Sequence, residues 1–536
     1  LVPDAVCQTV NVRDTWAIYK LFTNMHMQSD LRAQAAGGYL FRRGGSWGAF
    51  NEIGLSIADN IGFSRHAGDT ERVTLTLKPV DKFATGYQLG LDVPDKAMNA
   101  SLKDLYGSMM NGGALADQKR YYFGNQSEGC IHEWTPWIIG FPFAVGVPSS
   151  GKISARPYDA MRAYRGMLQA ILDSVGDDSR TDFGLNKFYN DNAHEKVFID
   201  GNLNVIIGSG IYYRHTGDTA FIAKYMPIFE RLVKRFIDDI DPKTGLFLDP
   251  RPGPHWYYDE LPFTGYNTYF NTFLYKSLTE LAGMEKLIGN KGKAASYAAR
   301  AEALKGAINK FLWTEDAPGG PRYADWVDLN GKRYTYFVDF VHYTTIVFGV
   351  ASREQARKII ATADARIAEL TAKYGYAGHA SISSLWENGA RGHPYGEYMN
   401  GGTILVMTYF EVVARSMAGD NEGAFNRLRV FCRKYDQMSW VGNNAADIQG
   451  EMTDVSGDRE PYLADCVTVT ASAVNGILGI NPTWDKLEVT PRLPKGWKTA
   501  KASIIYKGIR HEVTVNGDKV TIKPMERVYG KDKNEK

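Results

Sequence analysis

The sequence predicts a mainly α-helical fold in which paired helices close into a ring, followed by a small antiparallel β unit. From about residue 155 onward, amphipathic helical periods follow one another along the chain. Short connections between these periods alternate with long ones. After about residue 485 the apolar residues change from a helical spacing to the alternation that is typical of strands.

The helical periods are clearest in two segments. In residues 219–237, Phe221, Tyr225 and Phe229 recur at steps of four, and residues 158–175 carry an apolar stripe of the same kind. Such a stripe has to be buried against another element. Further helices are predicted at about 200–214, 265–283, 291–312, 338–350, 353–373, 400–418, 421–435 and 464–478, and near 15–28 and 100–111.

The connections between these helices indicate how the helices are arranged. The short connection at 215–218 contrasts with the long ones at 240–264 and 374–399, which are rich in aromatic residues, Gly and Pro. About twelve helices joined in this way favour a closed ring of helical hairpins, with the long loops gathered at one end. Because binding and catalytic residues concentrate on loops held by a rigid scaffold, we expect the functional site at that end.

The two ends of the chain differ from the ring. Residues 486–493, 501–508, 511–517 and 519–524 alternate apolar and polar side chains with Gly and Asn-Gly turns between them. Near the other end, residues 71–80 alternate like a strand, but Gly-rich stretches interrupt every pattern. We therefore expect a mixed N-terminal region at 1–150, the catalytic helical ring at 151–482, a β-rich unit at 483–528 and a disordered tail at 529–536.

The composition excludes some partners. Lys and Arg total 62 against 60 for Asp and Glu, so the net charge of +2 gives no electrostatic basis for binding nucleic acid. No apolar run approaches the roughly 20 residues that a membrane-spanning helix needs, so we expect no membrane insertion. Aromatic residues make up 12% of the chain, and their flat rings suit either the apolar faces of sugars or a large core.

No cofactor or metal is predicted. The four cysteines lie far apart without a C-x-x-C pair, and the ten His residues are scattered, so a zinc site is not indicated. The number of cysteines permits disulfides without requiring them. The chain also lacks a P-loop, a dinucleotide-binding G-x-G-x-x-G after a strand and an H-E-x-x-H motif.

A pair of carboxylates in an aromatic loop is the first candidate for chemistry. Asp259 and Glu260 lie in the stretch HWYYDELPF, beside Trp256 and Tyr258. Cleavage of a glycosidic bond needs one protonated carboxyl group and a second ionised one. Apolar neighbours disfavour ionisation and raise a carboxyl pKa, as a general acid requires. The alternative is that Asp259 caps a helix, or that both residues are solvated on a loop.

Other carboxylates could supply the second group. Glu451 follows Gln449-Gly450 in a polar loop and belongs to no periodic helix face, whereas Asp458 and Glu460 have the pattern of turn and capping residues. Glu387 beside Trp386, and Glu397 near Tyr395, are candidates for catalysis or for substrate binding. Asp325, Asp339 and Glu133 are expected at a pocket wall or the edge of the core.

At this level the chain resembles the six-hairpin glycosidases, whose fold is an (α/α)6 barrel and which include α-L-rhamnosidases, trehalases and processing α-glucosidases. The resemblance covers roughly residues 155–525 and depends on the helix-turn-helix at 212–236, on the stretch at 398–420 and on the junction at 476–497. It implies an (α/α)6 barrel that carries a small antiparallel β-rich C-terminal unit. The rhamnosidase acid-loop signature with its Arg-Glu and Gly-Asp-Trp elements is absent.

The resemblance also implies roles for individual residues. The stretch YYDEL is similar to the acid loop of the superfamily, and either Asp259 or Glu260 matches the acid. The stretch GEMTDVSGD is similar to the base loop of the trehalase branch, which indicates Glu451, whereas Trp386-Glu387 is similar to the base region of the rhamnosidases. Substrate binding is expected from Trp256, Tyr258, Trp386, Glu387, His393, Tyr395, Glu397, Asn400, His132 and Trp134.

These residues support a glycoside hydrolase that removes a terminal sugar from an oligosaccharide or polysaccharide, with inversion. One alternative is a polysaccharide lyase in which a Tyr or His base abstracts the proton beside a uronate, since His393, Tyr395, His342 and Tyr343 are available. Another is a glycan-binding protein without activity. Because the chain begins at Leu1 rather than Met and is rich in aromatic residues, we expect an exported protein, periplasmic or extracellular.

Overall fold

The computed structural model describes most of the helical region and the C-terminal unit, with side-chain detail there, and isolated strands of the N-terminal region. The described residues are 87–103, 160–173, 175–176, 200–249, 263–374, 405–438 and 469–529, and the strand segments 7–12, 15–19, 38–42, 53–57, 75–80, 114–116, 121–123 and 146–148.

The helices are numbered in chain order over these residues. They are α1 (96–103), α2 (Ala160–Asp173), α3 (Asp200–Thr216), α4 (Thr219–Asp238), α5 (Thr268–Leu287), α6 (Lys291–Phe311), α7 (Asp339–Val347), α8 (Arg353–Tyr374), α9 (Leu405–Ala418), α10 (Asn421–Met438) and α11 (469–477), whose last turn, Ala473–Ile477, is π-helical. Every helix that the sequence predicts between residues 158 and 478 is found.

The strands are short. They are β1 (Cys7–Val12), β2 (Thr15–Tyr19), β3 (Gly38–Arg42), β4 (Ile53–Ile57), β5 (Leu75–Val80), β6 (Tyr87–Leu89), β7 (Leu91–Asp92), β8 (Ala114–Ala116), β9 (Tyr121–Phe123), β10 (Gly146–Pro148), β11 (Tyr266–Asn267), β12 (Trp313–Thr314), β13 (Arg322–Tyr323), β14 (Trp326–Val327), β15 (Arg333–Tyr334), β16 (Ile480–Pro482), β17 (Leu487–Val489), β18 (Thr499–Tyr506), β19 (Ile509–Asn516) and β20 (Lys519–Arg527).

Alternate helices of the ring differ in burial. All 17 residues of α3 are buried, and most of α5 and α7 are buried as well. In α6, by contrast, only Ala301, Leu304 and Ile308 are buried. A helix that is covered on all sides belongs to the interior, whereas a helix with one buried stripe belongs to the outside. The helices therefore form two layers, with α3, α5, α7, α9 and α11 inside and α4, α6, α8 and α10 outside.

The inner helices run parallel. Contacts between α3 and α5 advance along both helices together, from Asp200 with Tyr269 to Arg214 with Glu280. The contacts then continue from α5 to α7, α9 and α11. On the other side of the ring, the Thr470 hydroxyl of α11 donates to the Leu102 carbonyl of α1 at 3.2 Å. This succession is the ring of helical hairpins that the sequence predicts.

The C-terminal unit is an antiparallel sheet in the order β20, β19, β18 and β7. The sheet binds the end of α3 through backbone hydrogen bonds, since Lys507 N donates to Arg214 O at 2.8 Å and Gly508 N to His215 O at 2.7 Å. The buried His215 ring lies 2.8 Å from the Ile505 carbonyl, and burial lowers the pKa of His215 to about 4. A neutral imidazole therefore completes the joint between the ring and the sheet.

One prediction for the N-terminal region is wrong over its first residues. A helix was expected near residues 15–28, but Thr15–Tyr19 form strand β2, which pairs antiparallel with β1 from Gln8–Tyr19 to Val12–Thr15. Residues 20–28 lie outside the described residues. Thr, Trp, Ile and Tyr all favour strands, and this preference outweighs a weak helical spacing. The expected helix at 100–111 begins earlier, since residues 96–103 are helical. No described helix is long and apolar enough to cross a bilayer.

A buried ion cluster holds the end of α3 against α5. The Arg214 guanidinium donates to Glu280 at 2.5 Å, and Lys276 lies 2.8 Å from the same carboxylate. The Trp484 indole N–H also donates to Glu280, at 3.1 Å. Burial alone would raise the pKa of Glu280, but Arg214 and then Lys276 lower it to about 2. The carboxylate is therefore ionised throughout the physiological range.

Replacing this carboxylate should destabilise the fold. Glu280→Gln leaves Arg214 buried without its counter-charge, and we expect the free energy of unfolding in urea at pH 7 to fall by about 3–5 kcal/mol. Because the folded pKa of about 2 lies below the ordinary 4.5, the contribution of the carboxylate is complete above pH 4.5 and is lost as the pH falls toward 2. The difference in free energy of unfolding between the unchanged protein and Glu280→Gln should therefore become smaller as the pH falls from 4.5 toward 2.

The control for this test is Glu488→Gln. Glu488 is 43% exposed and forms an ion pair with Lys486 at 3.3 Å. Exposed pairs contribute about 1 kcal/mol or less, so this variant should unfold almost as the unchanged protein does. If the two substitutions lowered the free energy of unfolding equally, Glu280 would not hold α3 against α5 as described above.

Candidate functional site

The catalytic and substrate-binding residues that the sequence predicts lie outside the described residues. Most of these residues belong to the long connections between helices. The structure describes where those connections begin and end on the ring. The predicted residues are Asp259, Glu260, Glu451, Trp256, Tyr258, Trp386, Glu387, His393, Tyr395, Glu397, Asn400, His132 and Trp134.

The described helix ends show where the long connections attach. Each of α3, α5, α7 and α9 is followed by a short connection to an outer helix, for example 217–218 after α3 and 419–420 after α9. The long connections 239–267, 312–338, 375–404 and 439–468 therefore all join the C-terminal end of an outer helix to the N-terminal end of an inner one. Because the inner helices are parallel, these connections attach at one end of the ring.

The segment that carries Asp259 and Glu260 is held at a narrow neck. Asp249 and Gly265 form an antiparallel bridge in which Asp249 N donates to Gly265 O at 2.9 Å and Gly265 N to Asp249 O at 2.5 Å. The Asn271 side chain braces the nearby Phe247 backbone, accepting from its N–H at 2.8 Å and donating to its carbonyl at 3.2 Å. The segment 250–264 thus begins and ends at one rigid position.

The residues after the neck lead directly into α5. Gly265 has a φ of 71°, a left-handed conformation that suits Gly. Asn267 is the N-cap of α5, since its side-chain oxygen accepts from Phe270 N at 2.7 Å. This local structure explains why Gly and Asn follow the aromatic stretch in the sequence.

A small sheet joins this connection to the next one. Strand β11 pairs with β14, and β14 pairs with β15. Beside the sheet, Thr268 N donates to the Asp325 carbonyl at 3.0 Å, and the Thr268 hydroxyl donates to the Ala324 carbonyl at 2.5 Å. The connections 239–267 and 312–338 therefore hold one fixed position relative to each other.

Asp325 organises the second connection. Its carboxylate is fully buried and accepts from Phe337 N at 3.1 Å and from Val338 N at 3.0 Å, at the start of α7. Phe337 adopts a φ of 63°, which is strained for a residue that is not Gly. The two hydrogen bonds to Asp325 stabilise that conformation. Asp325 was expected at a pocket wall or at the edge of the core, and the structure places it fully buried within the second connection.

His342 completes this arrangement. Its Nε2 lies 3.1 Å from Asp325 Oδ1, outside hydrogen-bonding geometry, and its ring stacks on Phe337 with centroids 4.5 Å apart. Burial lowers the pKa of His342, although Asp325 opposes the shift. The sequence does not indicate that Asp325 and His342 meet, because they are separated along the chain and form no motif. The available signal was that each interrupts an otherwise apolar stretch.

The inner helices carry further buried polar groups. Four of these residues have a buried side-chain N or O atom without a hydrogen-bond partner among the residues that the structure describes: Asn204, Thr272, Tyr343 and Thr408. Each lies in the first or second turn of an inner helix, so all of them are at a similar depth below the long connections. Unpaired buried polar atoms are costly, and a polar ligand at this level would satisfy them.

Two residues considered for a lyase are not suited to act as bases. Burial raises the pKa of Tyr343 well above its usual range, and the charges of Glu411 and Asp339 add to the shift. His342 is fully buried against Asp325 and Phe337. Within the described ranges, no group of three or more His, Cys, Asp or Glu residues is arranged to hold a metal ion.

Comparison with protein families gives two matches. The trehalase family matches residues 268–386, from the start of α5 to Trp386, and the C-terminal domain of glycosyl hydrolase family 65 matches residues 481–526. The first match contains Asp325 and His342. The second covers β17 to β19 and most of β20. Comparison with curated protein sequences gives no significant match.

Solved structures with a similar fold are glycosidases. A GH78 family rhamnosidase of Bacillus sp. GL1 is 16% identical with a TM-score of 0.56, over 85% of this chain and 43% of its own. A sialidase is 13% identical with a TM-score of 0.59, over 82% and 40%. An α-L-rhamnosidase from Dictyoglumus thermophilum is 12% identical with a TM-score of 0.54, over 90% and 48%.

These likenesses show the fold, an (α/α)6 barrel with a β-rich C-terminal unit, as the sequence predicted. The chain spans less than half the length of each of these three proteins. At such low identities the likeness does not carry over a substrate. Both family matches and the rhamnosidase fold fall within the six-hairpin glycosidases, and no single family covers the chain.

The neck of the first connection should be sensitive to one methyl group. A Cβ at Gly265 would lie 2.2 Å from the Val327 carbonyl oxygen, so β11 and β14 would have to separate. We expect Gly265→Ala to lower the free energy of unfolding by more than about 2 kcal/mol, measured in urea.

Gly331→Ala is the matched control. Gly331 has a φ of 82°, and a Cβ there would meet nothing within 4 Å. This variant has the cost of a left-handed Ala, about 1–2 kcal/mol, without the clash. If Gly265→Ala is no more destabilising than Gly331→Ala, the close approach of the two connections is not a constraint on the fold.

Proposed function

Because two glycosidase family models match parts of the chain and its fold is similar to that of rhamnosidases, we propose that it is a six-hairpin glycoside hydrolase with its active site at the end of the ring where the long connections attach. The observation that carries this proposal is the common attachment of the segments 250–262, 375–404 and 439–468 at that end. Carboxylates that are distant in sequence can meet there across one pocket. The buried polar atoms of the inner helices lie below the same end.

The mechanism we propose uses two carboxyl groups. Asp259 or Glu260 donates a proton to the leaving glycosidic oxygen, and Glu451 activates a water molecule that attacks the anomeric carbon from the opposite face. The aromatic residues around Asp259 and Glu260 would keep the acid protonated near neutral pH. Glu387 and Glu397 are the other candidates for the base, or bind the substrate.

The substrate we propose is a terminal sugar of an oligosaccharide or polysaccharide. A pocket shape at this end of the ring would make the enzyme act at chain ends. Trp256, Tyr258, Trp386 and Tyr395 offer flat faces for sugar rings. His393, Asn400, His132 and Trp134 offer hydrogen bonds to sugar hydroxyls.

The remaining features of the proposal concern the whole chain. We propose that the chain has four units: a mixed N-terminal region at 1–150, a barrel at 151–482, a β-rich unit at 483–528 and a tail at 529–536. The high aromatic content is consistent with an exported enzyme that degrades glycans outside the cytoplasm.

Neutralising the catalytic carboxylates should slow turnover strongly. We expect kcat on the glycan that the unchanged enzyme cleaves to fall by about 10²–10⁴-fold in two variants. One is Glu451→Gln, and the other is whichever of Asp259→Asn and Glu260→Gln removes the acid. Asp458→Asn is the control, because Asp458 lies in the same loop as Glu451 and has the pattern of a turn residue. Near-normal turnover in all three carboxylate variants would refute the proposal.

The stereochemistry of the product tests the water-activating role of Glu451. Direct attack by water inverts the anomeric carbon, so proton NMR of the first product formed should show the anomer opposite to that of the substrate linkage. A first product with the same anomeric configuration would indicate a covalent glycosyl-enzyme intermediate. The base would then have to be reassigned as a nucleophile.

A further inference from the structure

A second buried carboxyl group lies on α5, at the corner where α5 meets the outer helices α4 and α6. Glu285 is in the last turn of α5 and is fully buried. The residue is on the same helix as Glu280, but it has no close ion pair of the kind that Arg214 gives Glu280. Lys293 Nζ lies 4.0 Å from Glu285 Oε1, at the outer limit of an ion pair. A buried carboxylate that is neutralised so weakly is costly to ionise.

The two oxygens of Glu285 have different surroundings. Oε2 accepts from the side-chain amide of Asn290 at 2.7 Å, whereas Oε1 is buried without a donor among the described residues. Asn290 occupies the N-cap position of α6, yet its side chain forms no capping hydrogen bond. An Asn at this position ordinarily accepts from the first amides of its own helix. The start of α6 is therefore held to Glu285 instead of being capped.

Glu230 of α4 approaches the same corner. Lys293 Nζ donates to Glu230 Oε1 at 2.6 Å and also faces Glu285 Oε1, so two carboxyl groups share one ammonium. The Lys293 side chain is 56% exposed, and solvent therefore weakens its attraction for both. Two carboxylates that share one site disfavour each other's ionisation, and a proton held between them removes the repulsion.

The other groups at this corner do not reverse that preference. Burial raises the pKa of Glu285; the hydrogen bond from Asn290 opposes the rise, and Glu230 adds to it. Tyr297 of α6 faces the pair as well, and burial together with the charges of Glu230 and Glu285 raises its pKa to about 12. Tyr297 is therefore neutral near pH 7. Lys293 is the one group here that favours the ionised pair by its charge over the described ranges.

The remaining charges near the end of α5 are turned elsewhere. Lys286 pairs with Asp485 of the C-terminal unit at 3.3 Å, and both side chains are more than two thirds exposed. Glu280 belongs to the ion cluster at the end of α3. Within the described ranges, Lys293 is thus the one cation within 4.0 Å of the Glu285 carboxyl group.

We propose that Glu285 and Glu230 hold one proton between them and form a proton-dependent latch that fastens the start of α6 to α4 and α5. With the latch closed, the protonated Glu285 donates through Oε1 to Glu230 and accepts from Asn290 at Oε2. When the proton leaves to solvent, two carboxylates face one exposed ammonium, and the first turns of α6 open more readily. The proposal does not depend on the hydrolase activity proposed above.

The direction of the pH dependence follows from the buried group. Because the folded pKa of Glu285 lies above the ordinary 4.5, its contribution to stability is complete below pH 4.5 and is lost as the pH rises through the folded value. Glu280, on the same helix, has the opposite dependence, since its contribution is lost as the pH falls. The two carboxyl groups of α5 can therefore be told apart by pH alone.

Amide hydrogen exchange on the full chain, followed by mass spectrometry, tests the latch. Exchange of residues 294–300, the first amides bonded within α6, is compared between the unchanged protein and Glu285→Gln at pH 4.5 and at pH 8. The Gln side chain mimics the protonated carboxyl group, because it accepts from Asn290 and donates to Glu230. The ratio of the two rates at one pH removes the intrinsic effect of pH on exchange.

We expect this ratio, unchanged protein over variant, to be near one at pH 4.5 and higher at pH 8. The rise should be about tenfold for each unit by which the folded pKa exceeds the unfolded one, provided that these amides exchange through opening of the latch. Glu302→Gln is the control, because Glu302 is an exposed carboxylate on the same helix. Its ratio should be the same at both pH values.

Glu230→Gln tests the second half of the pair. Glu230 is 26% exposed, so this variant should fold even if Glu285→Gln does not. Its side-chain amide can donate to Glu285 Oε1, and we expect the same rise in the ratio at pH 8. The proposal requires that rise in each of the two variants that folds. A ratio that is equal at pH 4.5 and pH 8, or faster exchange in either variant than in the unchanged protein at pH 8, would overturn it.

Discussion

Complete burial of the inner helices is the constraint on which the rest of the structure depends. A helix such as α3 is covered on every side, so the chain can reach the surface of the ring only at the two ends of that helix. Short connections close one end of each hairpin, so the long connections are confined to the other. The same constraint forces polar side chains of the inner helices, such as Asn204 and Thr272, into the interior of the ring. The position of the proposed active site follows from this arrangement.

Buried charges fix the parts of the molecule that surround the ring. Glu280 neutralises Arg214 where α3 meets α5 and the C-terminal unit, and Asp325 holds the backbone at Phe337 where two long connections meet. Both carboxylates are fully enclosed, so each strongly favours one arrangement of its neighbours.

The sequence predicted the ring well because its information is periodic. Stripes such as Phe221, Tyr225 and Phe229 report directly which face of a helix is buried. Strand β2 was missed, because in a short segment the helical and strand spacings compete and strand propensity decides. The association of Asp325 with His342 was also missed, because it depends on the path of the chain between them. The catalytic carboxylates remain predictions from local composition and resemblance.

The central claim is that this fold hydrolyses glycosidic bonds. The most direct test is to screen the full chain against a library of oligosaccharides and polysaccharides, including uronate-containing ones, and to follow both new reducing ends and the absorbance of unsaturated uronates. Hydrolysis creates no double bond, so the account predicts new reducing ends without that absorbance. Release of unsaturated uronates, or binding of glycans with no turnover of any of them, would contradict it.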